Sequence, residues 1–510
     1  MPGRNRLSMG TASAQCGGQG PEAAPARKDV AVNGASAPKR SIGRLVVALM
    51  MVEMISSFEN SMTITALPTI ARQFNDIAHV GWLITGFVLV QAGTAAVGGR
   101  LGDIYGRRRM LAIIAILCAA GSVVSALATT LEGIIIGRAI QGVSGALLPL
   151  CFGIVREYVP QEKVAFWVGC LSGAYAVGAG LGNVLAGFLV DLGGWHTIFL
   201  FTAGYSVLAL IPLATMVPET TRLTLKGQTD YLGGLLFVPA VALTLYGFGN
   251  ISSSPFLSVT VAGCSLIGLG LIALWAWHES RHPEPLIDVR LLANRDIALA
   301  NLCYALLGLG MVQMPIISMM LLQQPVWTGI GLGVTATIAG IVKTPTAFGS
   351  AVASPLSGYI SGRFGGRASI VTGSALGIVG WGGLTLFHDS IALAVMWMTI
   401  GVAAIAMLLA AVPNIVLAHV PLSRSSEATG LSMVVKGIFA GVGAQAVTAI
   451  LGSRSILGAD GTAYPSREGF MLCLGLTTGT AVLILLTGLT IGRGKPTPAA
   501  EENTVREVAA

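Results

Sequence analysis

The chain has 510 residues, 54 % of them hydrophobic and 10 % charged, and its mean hydropathy is +0.77. One soluble core cannot hide that much apolar surface, so the composition points to lipid as the solvent and excludes an ordinary water-soluble domain. The net charge of +7 is scattered between apolar runs, which excludes a nucleic-acid-binding face.

Residues 1–41 are polar, rich in Gly, Ala and Pro, and read as a disordered cytoplasmic tail. The first apolar run begins near Ile42. It is too long for a signal-peptide core and lacks a small-residue cleavage site, so it reads as a spanning helix. A span needs about 20 apolar residues. That ruler predicts fourteen spans: 43–68, 80–100, 110–128, 132–156, 164–190, 196–217, 231–249, 258–277, 297–321, 333–360, 369–387, 391–419, 428–452 and 469–492. The seventh and eighth are short and lie between two halves. With the amino terminus inside, the intervening cytoplasmic segments collect most of the basic residues, Arg107–Arg109, Arg222, Lys226, Arg363, Arg367 and Arg424 among them. External loops hold only Arg72, Arg454 and Arg467. This asymmetry predicts both termini in the cytoplasm. The seven cysteines (Cys16, Cys118, Cys151, Cys170, Cys264, Cys303 and Cys473) have no metal or redox spacing and read as small packing residues.

One loop recurs. "GGRLGDIYGRRRM" (98–110) follows the second span and "SGYISGRFGGRAS" (357–369) follows the tenth. Gly358 matches Gly99, Phe364 matches Tyr105, Gly365 matches Gly106 and Arg367 matches Arg108, whereas Gly362 stands where the first copy has Asp103. Such duplication is the signature of a transporter built from two bundles. The expected organisation is a six-helix bundle over 42–218, two inserted helices over 219–280, a second six-helix bundle over 281–492 and a cytoplasmic tail over 493–510. The glycines suit a tight turn, and Arg107, Arg108 and Arg109 suit the anionic cytoplasmic side.

The loop resembles motif A of the major facilitator superfamily, commonly written G-x-L-a-D-r-x-G-r-r. The two extra helices point to its fourteen-helix drug:proton antiporter branch. "FENSMTITALP" (58–68), "GRAIQGVSGA" (137–146), "VPQEKVAFWVG" (159–169), "GGWHTIFLF" (193–201) and "LIDVRLLANRDIALAN" (286–301) are similar to further patterns of that branch, and the likeness covers roughly 43–490. Two departures stand out. "GAGLGN" (178–183) carries Ala179 for the proline of the helix 5 antiporter motif and Asn183 for its last glycine. Glu59 replaces the helix 1 aspartate. The resemblance implies an all-α polytopic membrane fold, two six-helix bundles plus two inserted helices, and a transporter rather than an enzyme.

Ionisable groups inside a span are costly, about +2.5–3.5 kcal/mol at mid-helix, and mark function by default. At 100° per residue, Glu53, Ser56, Glu59, Asn60 and Thr63 share one polar stripe on the first helix. Glu59 is the leading proton-coupling candidate, the alternative being a static ion pair. Glu53 lies nearer the cytoplasmic end. Arg138 shares a face with Gln141, Gly142, Gly145 and Pro149, and the resemblance makes it a proton-relay or gating residue; a helix brace is the alternative. Lys343 and Lys436 are the two lysines able to trade with a proton on Glu59. Lys436, in "ATGLSMVVKG" (428–437), is favoured by resemblance. For an apolar substrate the cavity candidates are Gln91, Gln141, Tyr304, Met311, Gln313 and Asn414, with Trp82, Phe87 and Met314 nearby.

Gly99, Asp103, Gly106, Arg107 and Arg108 form the expected conformational latch. Asp103 is its informative member, because a carboxylate there suits the positive end of a helix in the other bundle, near Thr429. The expected function is a proton-coupled secondary exporter of amphipathic drug-like compounds or secondary metabolites, of multidrug efflux and antibiotic resistance type, working by alternating access in the plasma membrane. A proton-coupled importer or metabolite carrier, and a transport-inactive receptor or sensor, are the alternatives. No nucleotide-binding G-x-x-x-x-G-K-[ST] pattern occurs. The energy source is then the proton gradient, with no metal or other cofactor, and the partners are protons, the amphipathic substrate and the bilayer, for a chain acting as a monomer.

Overall fold

The computed structural model describes residues 42–74, 82–219, 231–249, 259–282, 293–334, 336–458 and 463–492. The expected tails over 1–41 and 493–510 lie outside them. In chain order the helices are α1 (Ile42–Phe74), α2 (Trp82–Tyr105), α3 (Arg107–Leu127), α4 (Leu131–Tyr158), α5 (Gln161–Gly193), α6 (His196–Met216), α7 (Tyr231–Gly249) and α8 (Val259–Arg281). They continue as α9 (Arg295–Gln323), α10 (Ala336–Val342 and Thr344–Phe364), α11 (Gly366–Leu386), α12 (Ile391–His419), α13 (Ser425–Ser453) and α14 (Arg467–Thr490). Among the described residues, eleven helices are long and apolar enough to cross a membrane. Their outward faces carry bare apolar side chains such as Phe188, Ile211, Leu266 and Leu486, as expected where lipid replaces water.

Helix ends follow from local chemistry. Thr130, Asn294, Ser390 and Ser466 each accept a hydrogen bond from a first-turn amide of α4, α9, α12 and α14. Gly106 and Gly365, with φ of 98° and 86°, make the sharp turns between α2 and α3 and between α10 and α11. Side chains rarely adopt such angles, so glycine is required there.

Within the first half, α1 packs on α5 and α6, and α3 on α4 and α6; within the second, α11 packs on α12 and α14, and α9 on α13. Separate apolar cores fill the two halves. The halves meet along two seams, α2 against α13 and α5 against α10. Glycines set both. A Cβ on Gly430 would collide with the Ala95 carbonyl oxygen of α2, and one on Gly169 with the Ser354 carbonyl oxygen of α10. The inserted pair packs on itself, and α7 also lies on α2 and α13. Phe237, Val241 and Trp275 thereby bury against Ala92, Ala96, Leu431 and Val434.

Three local features depart from plain spanning helices. α4 tightens to a 3-10 turn at Gly142–Ala146, where Gly145 lies against the Gln91 carbonyl oxygen of α2. α9 is interrupted at Gly310 and continues through a 3-10 turn at Met311–Gln313. A short hairpin, β1 (Ser455–Leu457) with β2 (Ala463–Pro465), follows α13.

Candidate functional site

The Glu59 carboxyl is buried where α1, α3 and the 3-10 turn of α4 meet. Ser144 and Cys118 face it, yet both carboxyl oxygens lack a hydrogen-bond partner among the described residues. Arg138, also fully buried, is the cation that acts on it. Its contact is with the backbone: Nη1 donates to the Glu59 carbonyl oxygen at 3.0 Å and to Gln141 Oε1 at 2.7 Å, and Nε donates to the Leu83 carbonyl oxygen at 3.1 Å. The guanidinium stacks 4.0 Å from the Phe87 ring centroid. Nη2 has no partner in the described residues. Gln141 Nε2 donates onward to Ser122 at 2.6 Å, and Thr202 donates to the same hydroxyl at 3.1 Å. A polar chain therefore runs from α1 through α4 and α3 to α6. Around it α1 and α5 approach closely: Gly178 sits against Ser57, and Asn183 accepts from Thr65 at 3.2 Å.

Neither expected lysine partners Glu59. Lys436 on α13 acts on Glu53 across the halves, and its Nζ lies 6.0 Å from the Tyr304 ring centroid. Glu53 is six residues closer to the basic end of α1 than Glu59. Lys343 lies at the break in α10, on neither carboxylate.

A second cluster closes the basic end of the seam. Asp103 Oδ2 accepts the Glu427 amide at 3.1 Å, in the first turn of α13, two residues before Thr429. Asp103 Oδ1 holds Arg107 Nε at 2.8 Å. Arg107 also donates to Ser426 Oγ (3.1 Å), the Gly153 carbonyl (3.0 Å), Glu157 Oε2 (2.9 Å) and the Leu422 carbonyl (2.7 Å). Gly99 permits the approach, because a Cβ there would strike the Ser426 carbonyl oxygen. Arg108 makes a contact inside its own half. Its Nη2 donates to the Ala214 carbonyl at 2.7 Å and ties α3 to α6.

The sequence does not mark the other members of the cluster, Glu157, Ser426 and Glu427 among them, nor two further arginines. Arg156 donates to Ser425 Oγ (2.7 Å) and to the Val420 (2.6 Å) and Pro421 (3.2 Å) carbonyls across the seam. Arg100 lies 3.4 Å from Glu427. Both look like topogenic basic residues in sequence; the only hint was their position at the ends of apolar helices, where a guanidinium must find acceptors if it is buried.

The expected substrate residues are dispersed. Gln91 donates to Ser56 Oγ at 3.1 Å and is half-buried. Gln141 is enclosed by Arg138 and Ser122, and Met311 by the second-half core, so neither borders an open cavity here. Tyr304 donates to the Leu409 carbonyl at 2.7 Å while its ring faces Lys436. Gln313 donates to Gly308 and Ala440 carbonyls at 2.7 and 2.9 Å. Asn414 reaches the Ala165 carbonyl of α5 at 3.3 Å, a contact across the second seam. No cluster of three or more metal-ligating side chains exists among the described residues.

Residues 49–443 match the family model described as Major Facilitator Superfamily. The chain is 29 % identical over 331 residues to the putative multidrug resistance protein MdtD of Klebsiella pneumoniae, covering 64 % of this chain and 67 % of that one. It is 28 % identical over 435 residues to the probable actinorhodin transporter of Streptomyces coelicolor, covering 81 % and 72 %. Against an uncharacterized MFS-type transporter of Mycobacterium tuberculosis, at 27 % identity, the chain matches 46 % of that protein's length and 63 % of its own. Its fold is similar to the crystal structure of the human organic anion transporter MFSD10, with a TM-score of 0.63 at 14 % identity over 88 % of this chain and 99 % of that one.

Proposed function

The chain belongs to the major facilitator superfamily, and from that premise we propose that it is a proton-coupled exporter of amphipathic drug-like compounds or secondary metabolites. It sits in the plasma membrane with both termini in the cytoplasm, so the basic end of the seam is the cytoplasmic end. The names of two similar proteins, a putative multidrug resistance protein and a probable actinorhodin transporter, support the cargo class.

The observation that carries proton coupling is the pair of unmet needs in the first half. Among the described residues, Glu59 has two buried oxygens without a hydrogen-bond donor, and Arg138 Nη2 is a buried donor without an acceptor. A proton on Glu59 removes a buried charge whose oxygens meet no hydrogen-bond donor among the described residues. Losing it favours a shift of the side chain toward Nη2, whose guanidinium already touches the Glu59 carbonyl. The 3-10 turn carrying Ser144 and the Arg138–Gln141–Ser122 chain then feel the change. Asp103, Arg107 and Arg156 hold the cytoplasmic seam shut in the outward-facing state, and the Lys436 charge acts on Glu53 between the halves. One charge crossing 100 mV supplies about 2.3 kcal/mol per cycle.

Ethidium efflux from cells or proteoliposomes tests the reading. Efflux is expected to collapse with a protonophore and with Glu59→Gln, while Glu59→Asp retains part of it. Proton-gradient-dependent efflux that persists unchanged in Glu59→Gln would remove Glu59 as the carrier. Uptake instead of efflux along the same gradient would reverse the direction.

A further inference from the structure

A cleft of about 440 Å³ opens between α3 and α6 on the outer surface of the first half, at its basic end. Arg108, Ala112 and Ile116 stack along one face of α3 at i, i+4 and i+8, with Arg109 beside the first. Leu210 and Leu213 of α6 form the opposite wall. The trough runs from the guanidinium pair toward the membrane interior over about 12 Å, at 1.5 Å per residue. It faces lipid rather than the seam: Ile116 on its wall and Ile211 beside it are exposed apolar side chains on the membrane face. The Arg108–Ala214 hydrogen bond fixes one guanidinium at the mouth, so little ordering remains to be done there.

We propose that this cleft is a binding site for an anionic phospholipid of the adjacent leaflet. Its phosphate meets Arg108 and Arg109, and the first part of an acyl chain lies between Ala112, Ile116, Leu210 and Leu213. The shape selects an amphiphile, since a soluble phosphate leaves the apolar trough unfilled. The charge favours an anion: two arginines and one carboxylate, Glu219, border the cleft among the described residues. The second half supplies an internal contrast. There Arg367 is likewise held by a carbonyl, that of Ile491, but Ala368 stands where the first copy has Arg109, and no guanidinium pair forms. The proposal does not depend on which cargo is moved.

Native mass spectrometry of the full-length protein, titrated with phosphatidylglycerol and with phosphatidylcholine, tests it. The wild type is expected to retain one phosphatidylglycerol in preference to phosphatidylcholine. Arg109→Gln should weaken that lipid about fivefold, the value of roughly 1 kcal/mol per interfacial arginine. Ala112→Trp, which fills the trough and keeps both charges, should weaken it at least as much. Arg363→Gln, an exposed arginine of the second loop, should leave it unchanged. Equal retention of both lipids by the wild type, or unchanged phosphatidylglycerol affinity in Arg109→Gln, overturns the proposal. Displacement by millimolar glycerol phosphate shows a soluble phosphate site instead and overturns it as well.

Discussion

Residues 98–110 and 357–369 hold equivalent places in the two halves, and much of their chemistry is the same. Gly106 and Gly365 both turn the chain at positive φ. Arg108 and Arg367 each donate to a carbonyl at the end of the sixth helix of their own half, Ala214 and Ile491. Gly99 and Gly358 each lie against a carbonyl near the start of the fifth helix of the opposite half, Ser426 and Ala165. The difference is electrostatic. The first copy adds Asp103 and Arg107, which bind across the seam; the second has Gly362 and Gly366 there. What each bundle needs to hold itself together is duplicated, whereas the charged contact that joins the bundles is made once.

Substitutions break or sharpen this contrast. The largest effect is expected from Asp103→Asn. It leaves buried Arg107 without its nearest charge and weakens the closed seam by about 3 kcal/mol, so efflux should fall about tenfold with membrane insertion unchanged. Normal efflux in that variant would reduce the first loop to a topological signal. Gly362→Asp is the converse. A Cβ there would meet Glu162 O and Ala165 Cβ at 3.6 and 3.7 Å, ordinary contacts, so the second loop should accept a carboxylate, and a change in transport rate would show that its seam also gates.

Gly99→Ala and Gly358→Ala come next. A Cβ would lie 2.8 Å from Ser426 C in one and 2.8 Å from Phe166 Cα in the other. Each should therefore splay its own seam. Pulsed EPR between labels at 109 and 422, and at 163 and 363, in a background free of native cysteines, reads the two openings separately. Gly106→Ala and Gly365→Ala should each cost about 1–3 kcal/mol, read as equal losses of thermal stability in detergent. The smallest effect belongs to Arg108→Gln and Arg367→Gln, about 1 kcal/mol each, loosening the sixth helices without opening a seam. A marked widening of the 109–422 distance in Arg108→Gln would return that arginine to the cross-seam contact.

Much of the site was legible because membrane insertion makes polar residues conspicuous. A carboxylate on α1, an arginine on α4 and a lysine on α13 stand out against apolar runs. The pairing among them did not follow from the sequence. Helical periodicity places Glu53 and Glu59 on one face, but that Lys436 acts on Glu53 and not on Glu59 depends on how the two halves pack. For Asp103 the sequence pointed to α13 near Thr429, and the amide that meets it is that of Glu427. Arg156 was passed over because a basic residue at a helix end has a sufficient local explanation in topology.

The sequence by itself determined that the chain is a polytopic helical membrane protein with two related halves, because hydropathy, charge asymmetry and a repeated loop are one-dimensional signals. Tertiary structure alone decided that Arg138 holds the Glu59 backbone rather than its carboxyl, that the Lys436 charge acts on Glu53, and that Arg108 ties α3 to α6 while Arg107 binds across the seam. Those outcomes turn on a few ångströms of helix approach, set by glycines on both sides of each contact and by the 3-10 turn in α4, and no pattern along the chain encodes the distance between two helices.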